Sequence, residues 1–237
     1  LKGDMIKSRA DAKLNQSRCF GALQRYMIYS SDFIRRTTLT DPALQGLTSE
    51  QLLAKIGDLM GKQHEVLYYG PQDEAEVKAA LAAHHKVAAD LQPLEKKFST
   101  LQPTDENKVM LAQYDAKQLY YMQYSNRGEK FDLAADPQIT LYNEYFGGGM
   151  NTIVFQEMRE ARGLAYSAWA NLAIPTNAKG DYYYMAFIAT QNDKMQKAIE
   201  AFDEIINNMP ESETAFKIAK EGPVSYTHLT LPTNSLV

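Results

Sequence analysis

Apolar residues recur every three or four positions in several parts of the chain, and this spacing predicts amphipathic helices. The helices expected in this way cover residues 2–30, 48–60, 73–90, 136–146, 151–163, 195–209 and 212–221. The helix at 48–60 has the clearest start, because Thr48 and Gln51 fit a capping box. Leu47 and Leu52 fit the hydrophobic staple that flanks such a box.

Shorter runs rich in aromatic and branched residues predict strands. They cover residues 64–69, 109–114, 118–124, 164–174 and 182–190. The last two runs flank a turn at residues 175–180, so we expect them to form a hairpin. The order of strands, helices, hairpin and helices indicates an α+β fold, with a mixed or antiparallel sheet packed against helices. Residues 91–108, which contain two prolines and many polar side chains, indicate a surface linker between two domains.

The composition is that of an ordinary globular protein, with 237 residues, 45% hydrophobic and 23% charged. This length allows one large domain or two smaller ones. The net charge of −4, without a long basic run, argues against nucleic acid as a partner. No apolar run reaches the roughly 20 residues that span a bilayer. The one cysteine, Cys19, has no internal disulfide partner, and its pattern is typical of a small buried apolar residue.

The segment at residues 145–167 reads YFGGGMNTIVFQEMREARGLAYS and contains two expected turns. Gly147, Gly148 and Gly149 end one helix, Asn151 is placed to cap the next, and Gly163 ends that one. A glycine triplet before a helix can bind an anion. It can also let two helices pack closely, and this second interpretation is favoured because no strand precedes the triplet.

Arg159 and Tyr166 lie seven residues apart across the turn at Gly163, so their side chains can converge. A guanidinium can bind a peptide carbonyl or carboxylate. A phenol can donate a hydrogen bond to the oxyanion of a tetrahedral intermediate. The alternative is a surface arginine and a packed tyrosine, and spacing alone favours it. Arg162, nearer the helix end, is expected to interact with the helix dipole.

The four histidines do not form a zinc-peptidase motif. His64, His84, His85 and His228 fit neither H-E-x-x-H nor H-x-x-E-H. His84 and His85 are adjacent and so face different directions on a helix. We therefore expect these histidines to be structural or solvated, and we expect no metal ligands in this chain. Tyr182, Tyr183 and Tyr184 alternate along a strand, so at least one should face the core and another the solvent or a ligand.

The segment at 145–167 strongly resembles the motif in the non-catalytic halves of the insulinase/pitrilysin family of zinc metallopeptidases, the inverzincins. VLYYGP at 66–71 is similar to the strand that closes the preceding repeat, and YDAKQ at 114–118 to the start of the next. The resemblance covers about residues 1–221. It implies homologous α+β repeats that enclose a peptide, with the H-x-x-E-H zinc site on the first repeat.

By the same resemblance, Arg159 and Tyr166 would bind the substrate backbone, and Tyr166 would stabilise the transition state. The glycines at 147, 148, 149 and 163 would form the hinge that presents them. Zinc, its ligands and the general base would lie on an upstream half of the same polypeptide. A catalytically inactive family member that acts as a peptide-binding or scaffold subunit remains an alternative. An unrelated α+β ligand-binding protein is a second one.

The resemblance also gives an expected division of the chain. Residues 1–72 would be the C-terminal part of one repeat, residues 73–108 a helix and linker, and residues 109–222 the next repeat, cut short. Leu1 starts without Met inside a helical pattern, so we expect the chain to begin within a longer protein. Residues 224–233 (VSYTHLTLPT) match the translation of a sequencing-adapter DNA. Our hypothesis is that residues 223–237 are not native. The sequence leaves the cellular compartment open.

Overall fold

The computed structural model describes residues 1–94, 101–147 and 149–229. The helices are α1 (Lys2–Ala12), α2 (Gln16–Thr37), α3 (Asp41–Gly46), α4 (Ser49–Met60), α5 (Glu74–His84), α6 (Asp136–Tyr142), α7 (Ile153–Phe155), α8 (Met195–Asn207) and α9 (Glu213–Leu229). The strands are β1 (Gln118–Ser125), β2 (Ser167–Ala173) and β3 (Tyr183–Gln191). Two π-helical segments, Asn143–Gly147 and Gln156–Ala161, continue α6 and α7, and a short 3₁₀ turn (Asn192–Lys194) precedes α8. The predicted α+β class is confirmed.

The chain forms two compact units. Unit one comprises Leu1–Arg9 and Arg35–Ser99, and unit two comprises Ala10–Ile34 and Thr100–Val237. The N-terminal helix expected at 2–30 is divided between α1 and α2. Helix α2 is itself broken at Ser30, where φ is 68°. The division into homologous repeats at 1–72, 73–108 and 109–222 stays a prediction.

In unit one, the predicted start of α4 is confirmed. The backbone N–H of Gln51 donates to Thr48 Oγ1 (3.3 Å), and the Thr48 N–H donates to Gln51 Oε1 (3.0 Å). The strand predicted at 64–69 is wrong. This segment is irregular, and Leu67 is 93% exposed. Strands need a neighbour for their backbone groups, and the pairing beside this segment is a single bridge between Lys62 and Gln92.

Unit two is built on an antiparallel sheet in the order β1-β3-β2. The predicted hairpin of β2 and β3 is confirmed, and so is the strand expected at 118–124. The strand predicted at 109–114 is wrong, because this segment is irregular and Leu111 is 91% exposed. The strand preference of such residues comes from packing against neighbouring strands, so it does not stabilise a strand whose side chains are exposed to water.

The two faces of the sheet are covered by different elements. One face packs on the main core of unit two, whose largest fully buried side chains are Phe146, Val154, Met158, Ile188, Phe202 and Ile205. On the other face, Phe20 of α2 contacts Tyr120 and Phe187, with ring centroids 5.4 and 5.7 Å apart. Cys19, next to Phe20, is a half-buried free thiol. Burial on both faces fixes the register of the strands.

Helix α6 begins at Asp136, as expected, and the Asp136 carboxylate accepts a hydrogen bond from the Tyr182 hydroxyl (2.9 Å). The expected start of α7 differs from the structure. Asn151 does not cap α7, because the N-cap position is held by Thr152. In the described part of the chain, no helix combines the length and apolar character needed to cross a membrane.

Some of the expectations fall outside the described residues. They include Gly148 of the glycine triplet, residues 95–100 of the expected linker, and residues 230–237 of the C-terminal segment. The backbone of α9 continues through Leu229. The adapter hypothesis for residues 223–237 stays a prediction. Recovery of an uninterrupted genomic copy that encodes this segment would contradict it.

Candidate functional site

The first turn of the site brings a helix end against the sheet. Gly147 is buried at the end of the π-helical segment Asn143–Gly147, and a Cβ atom there would collide with the carbonyl group of Ala170 in β2. Close packing of two helices was expected at this point, and the structure shows packing of a helix on a strand. At Gly149 an added Cβ would meet nothing within 4 Å. Of the two described glycines of the triplet, Gly147 is therefore the one at which a side chain would prevent the close approach.

The helix that carries Arg159 combines α7 with the π-helical segment Gln156–Ala161. The N–H of Gln156 donates to the Thr152 carbonyl (3.0 Å), and the N–H of Arg162 reaches back five residues to Glu157 (3.1 Å). Met158 faces the core and is fully buried. Phe155 and Arg159 are four residues apart, a spacing that places two side chains on one side of a helix.

After this helix, Gly163 reverses the chain with a φ of 58°. The N–H groups of Leu164 and Ala165 both donate to the Met158 carbonyl, at 2.9 and 3.2 Å. Tyr166 then joins the sheet, and its N–H donates to the Ala189 carbonyl (2.8 Å). The backbone on both sides of the turn is thus held by hydrogen bonds to buried elements.

This turn brings the two candidate side chains together at the surface. The Arg159 Cζ lies 5.5 Å from the centroid of the Tyr166 ring and 5.1 Å from that of Phe155. Tyr166 is 70% exposed, and the Arg159 side chain is 44% exposed. Glu160 Oε1 lies 3.5 Å from Arg159 Nε. A cation over aromatic rings at these distances is attracted by their quadrupoles, so the rings help to orient the guanidinium.

Arg162 makes ion pairs with side chains, an interaction that the sequence prediction did not include. Its Nη1 donates to Glu204 Oε2 of α8 (2.7 Å), and its Nε lies 3.4 Å from Glu157 Oε2. The hydrogen bond that Arg162 donates to Glu204 raises the pKa of Arg162, and the same contact lowers the pKa of Glu204. Arg162 therefore links the turn at Gly163 to α8, whereas Arg159 lies over the rings of Phe155 and Tyr166.

The predicted alternation is confirmed for Tyr183 and Tyr184 in β3, but each of the three tyrosines is buried or half-buried. Tyr182 is buried, and its hydroxyl lies 2.9 Å from both the Asp132 carbonyl and Asp136 Oδ1. Tyr184 packs against the core of unit two, and burial raises the pKa of its hydroxyl. Tyr183 lies on the opposite face, with its ring centroid 5.9 Å from that of Tyr124.

A catalytic zinc site takes three protein ligands and a nearby general base. Among the side chains that the structure describes, no three of His, Cys, Asp or Glu are grouped to hold an ion. In unit one, however, the structure brings together two histidines that are 21 residues apart in sequence. Their Nε2 atoms, in His64 and His85, are 2.7 Å apart. Sequence spacing gave no sign of this contact.

The fold is of the α+β class, and its glycine-bounded turn brings Arg159 and Tyr166 together at the surface. The chain belongs to the peptidase M16 inactive-domain family, whose sequence profile matches residues 47–222. The resemblance to the insulinase family, noted from the motif at 145–167, is thereby confirmed. A comparison with curated protein sequences gives no significant match.

Solved structures share this fold. The peptidase M16 inactive domain from Pseudomonas fluorescens aligns with a TM-score of 0.66 and 19% identity, over 94% of this chain and 54% of that one. The periplasmic protease PqqL from Escherichia coli aligns with a TM-score of 0.65 and 14% identity, over 96% of this chain and 25% of that one. A conserved protein from Enterococcus faecalis aligns with a TM-score of 0.61 and 13% identity, over 96% of this chain and 54% of that one. The chain thus spans about half the length of the Pseudomonas and Enterococcus proteins and a quarter of the length of PqqL.

Proposed function

We propose that this chain supplies the Arg159–Tyr166 half-site of a zinc-dependent endopeptidase. The zinc ligands and the general base would lie on an upstream half of the parent protein. One observation carries the proposal: an exposed guanidinium and an exposed phenol meet at one turn, with Arg159 Cζ 5.5 Å from the Tyr166 ring centroid. Membership of the peptidase M16 family supports it.

Tyr166 is suited to stabilise charge that develops on a peptide carbonyl. Its side chain is 70% exposed, while its backbone is fixed to β3 through the Ala189 carbonyl. The phenol is therefore a donor on a rigid arm that can reach a bound substrate. A preorganised donor to an oxyanion contributes about 3 kcal/mol to transition-state binding. The proposed role of Tyr166 is to donate this hydrogen bond.

Arg159 is suited to hold the peptide backbone next to that oxyanion. Among the described residues, Glu160 is the one carboxylate paired with Arg159, and it approaches the Nε edge of the guanidinium. The terminal amino groups are the part of the planar fork that a peptide carbonyl or carboxylate would use. The Phe155 ring, four residues earlier, lies 5.1 Å from Arg159 Cζ and helps to orient the guanidinium.

The test is made in the full-length parent protein, by initial rates on a fluorogenic peptide. We expect Tyr166→Phe to lower kcat about 100-fold with little change in KM, because the lost hydrogen bond acts mainly in the transition state. We expect Arg159→Gln to raise KM as well. Tyr26→Phe, at a tyrosine that is 46% exposed, and Arg162→Gln are the matched controls. Wild-type turnover in Tyr166→Phe would remove the catalytic role.

A second candidate is a catalytically inactive family member that binds peptides or acts as a scaffold subunit. The description of the matching family as the inactive domain favours it. The two candidates differ in the upstream reading frame, which must encode H-x-x-E-H and a later Glu if the parent is an enzyme. In an inactive parent, Arg159→Gln would weaken peptide binding, and neither the wild type nor any variant would cleave the peptide.

A further inference from the structure

We propose that His64 and His85 form a surface site for one divalent ion of the Cu²⁺ or Ni²⁺ type. The two residues belong to unit one, whereas Arg159 belongs to unit two. Their Nε2 atoms are 2.7 Å apart, and their rings are nearly perpendicular, at 89°. Two imidazole nitrogens that converge in this way are the donors that such ions prefer.

Backbone contacts hold the two histidines in place. The segment just before His64 is bridged to Gln92, seven residues after His85. The Gln63 N–H donates to the Gln92 carbonyl, and the Gln92 N–H donates to the Gly61 carbonyl, both at 2.8 Å. His85 is the C-cap residue of α5, and its N–H donates to the Leu81 carbonyl (2.8 Å). The pair is therefore held by a helix end and by a bridged segment, which limits the ordering cost of binding.

The hydrogen bonds of His64 leave its Nε2 with a lone pair. Its Nδ1 lies 2.7 Å from the Lys62 carbonyl. A carbonyl can only accept, so the hydrogen of the neutral ring is on Nδ1 and the free lone pair is on Nε2. Histidines that bind metals usually donate their second ring N–H to a carbonyl in this way. In the absence of metal, His85 Nε2–H donates to this lone pair, and in the bound form its hydrogen would be on Nδ1.

The hydrogen-bonded separation of the two nitrogens is close to that of a metal-bound pair. With metal–nitrogen bonds of about 2.0–2.1 Å, two nitrogens are about 2.9 Å apart at a 90° angle and about 3.3 Å apart at a tetrahedral angle. The observed 2.7 Å would have to widen by about 0.2 Å for the first geometry and by about 0.6 Å for the second, so the first needs less movement. Square-planar or tetragonal sites are typical of Cu²⁺ and Ni²⁺. Solvent reaches the pair, since His64 is exposed and His85 is half-buried, so water can fill the remaining positions.

This site is independent of the proposed peptidase function. It has two protein ligands and no H-x-x-E-H arrangement, so it would not supply a hydrolytic zinc centre. Loss of metal binding here would leave the role of Arg159 and Tyr166 untouched, and the converse also holds.

The experiment titrates the purified chain with NiCl₂ and, separately, with CuCl₂, by isothermal calorimetry. We expect one equivalent to bind. His64→Gln and His85→Gln should each weaken binding about tenfold or more, because even a lost outer hydrogen-bond partner costs that much in metal sites. His84→Gln is the matched control, since it removes a neighbouring exposed histidine outside the pair, and its affinity should equal that of the wild type. Equal affinity in all four proteins would overturn the proposal.

A second measurement does not depend on substitutions. In the wild-type chain, substoichiometric Cu²⁺ should broaden the imidazole NMR signals of His64 and His85 before those of His84. The electron paramagnetic resonance spectrum should show splitting from nitrogen ligands. Equal broadening of all the histidine signals, or a spectrum without nitrogen splitting, would contradict the site.

Discussion

At Gly147 and Gly163 the absence of a side chain serves two different purposes. Gly147 allows the backbone of a π-helical segment to approach the Ala170 carbonyl of β2. Gly163 has open space around its Cα, but its φ of 58° lies in the left-handed region that other residues rarely adopt. One glycine therefore fixes the packing of the helix on the sheet, and the other fixes the direction of the chain between Arg159 and Tyr166.

Replacement of Gly147 by alanine should destabilise unit two strongly. The added methyl group would collide with backbone atoms of a buried strand, which cannot move aside as a flexible side chain can. We expect a loss of about 3 kcal/mol in the free energy of unfolding, at the upper end of overpacking effects. Urea titration followed by circular dichroism measures it.

Gly149→Ala is the matched control, because nothing lies within 4 Å of the added Cβ. We expect it to change the free energy of unfolding by less than about 0.5 kcal/mol. Similar losses in the two variants would mean that Gly147 is not in close contact with β2.

At this scale, sequence reasoning succeeded where two residues are linked by a short turn. The seven-residue spacing of Arg159 and Tyr166 implied that they can converge, and the structure brings them into contact. The contact between His64 and His85 was not predicted from the sequence, because it depends on the bridge between Lys62 and Gln92. Pairings of that kind are set by tertiary packing and leave no periodic signal.

Among the elements, the π-helical segment Asn143–Gly147 packs against β2, which lies at an edge of the sheet. The Asn143 side chain donates to the Leu172 carbonyl and accepts from the Leu172 N–H, both at 2.9 Å. Strand β2 has β3 on one side only, so its outer backbone groups need other partners. Asn143 supplies them at Leu172 and acts in place of a neighbouring strand.

Asn143→Ala should therefore destabilise unit two by about 1–3 kcal/mol, since it leaves a half-buried donor and acceptor without partners. Asn143→Asp should recover little of the loss, because it keeps the acceptor for the Leu172 N–H but places a second carboxylate oxygen against the Leu172 carbonyl. Asn171→Ala, on the strand itself, is the control. Thermal unfolding of the three variants tests the order, and equal stability of Asn143→Ala and wild type would contradict it.

The contact between Arg162 and Glu204 should make stability depend on pH. The hydrogen bond and the charge of Arg162 lower the pKa of Glu204 in the folded state, so the folded protein binds this proton less readily than the unfolded chain. The stabilisation is therefore complete above the pKa of an unfolded glutamate, about 4.3, and is lost as the pH falls through the lower pKa of the folded state.

We expect Glu204→Gln to unfold at a lower urea concentration than the wild type at pH 7. This difference should disappear as the pH is lowered below about 4. Urea titrations at a series of pH values measure it. Glu200→Gln, on the same helix, is the control, and an unchanged difference between Glu204→Gln and wild type in acid would exclude the ion pair as the cause.

The elements that sequence reasoning found are those whose pattern and packing agree. Strands β1, β2 and β3 and helix α8 each have a face buried in unit two, and each was predicted close to its observed range. The strands predicted at 64–69 and 109–114 have the right residue types but no neighbouring strand. The π-helical segments were not predicted, because their wider turns result from packing and have no periodicity of their own.

For the whole molecule, the α+β class followed from the order of elements, whereas the limits of the two units did not. Unit one includes residues at the N-terminus as well as residues 35–99, a grouping that a linear search for linkers cannot find. The apolar face of α4 is exposed along its length: Leu52, Leu53, Ile56, Leu59 and Met60. Periodicity indicates that a helix has an apolar face, but not what covers it.

The division of labour proposed for the parent protein gives a prediction for the chain itself. We expect the purified chain to cleave no peptide, with or without added Zn²⁺, because the sequence contains no H-x-x-E-H motif to hold the ion and activate water. Zinc-dependent cleavage that a chelator abolishes would refute the assignment of the catalytic centre to another part of the protein.

We nevertheless expect the purified chain to bind an unstructured peptide weakly through Arg159. Fluorescence anisotropy should show weaker binding for Arg159→Gln and unchanged binding for Arg162→Gln, whose guanidinium is engaged by Glu204. Equal peptide binding by the two arginine variants would refute the role of Arg159.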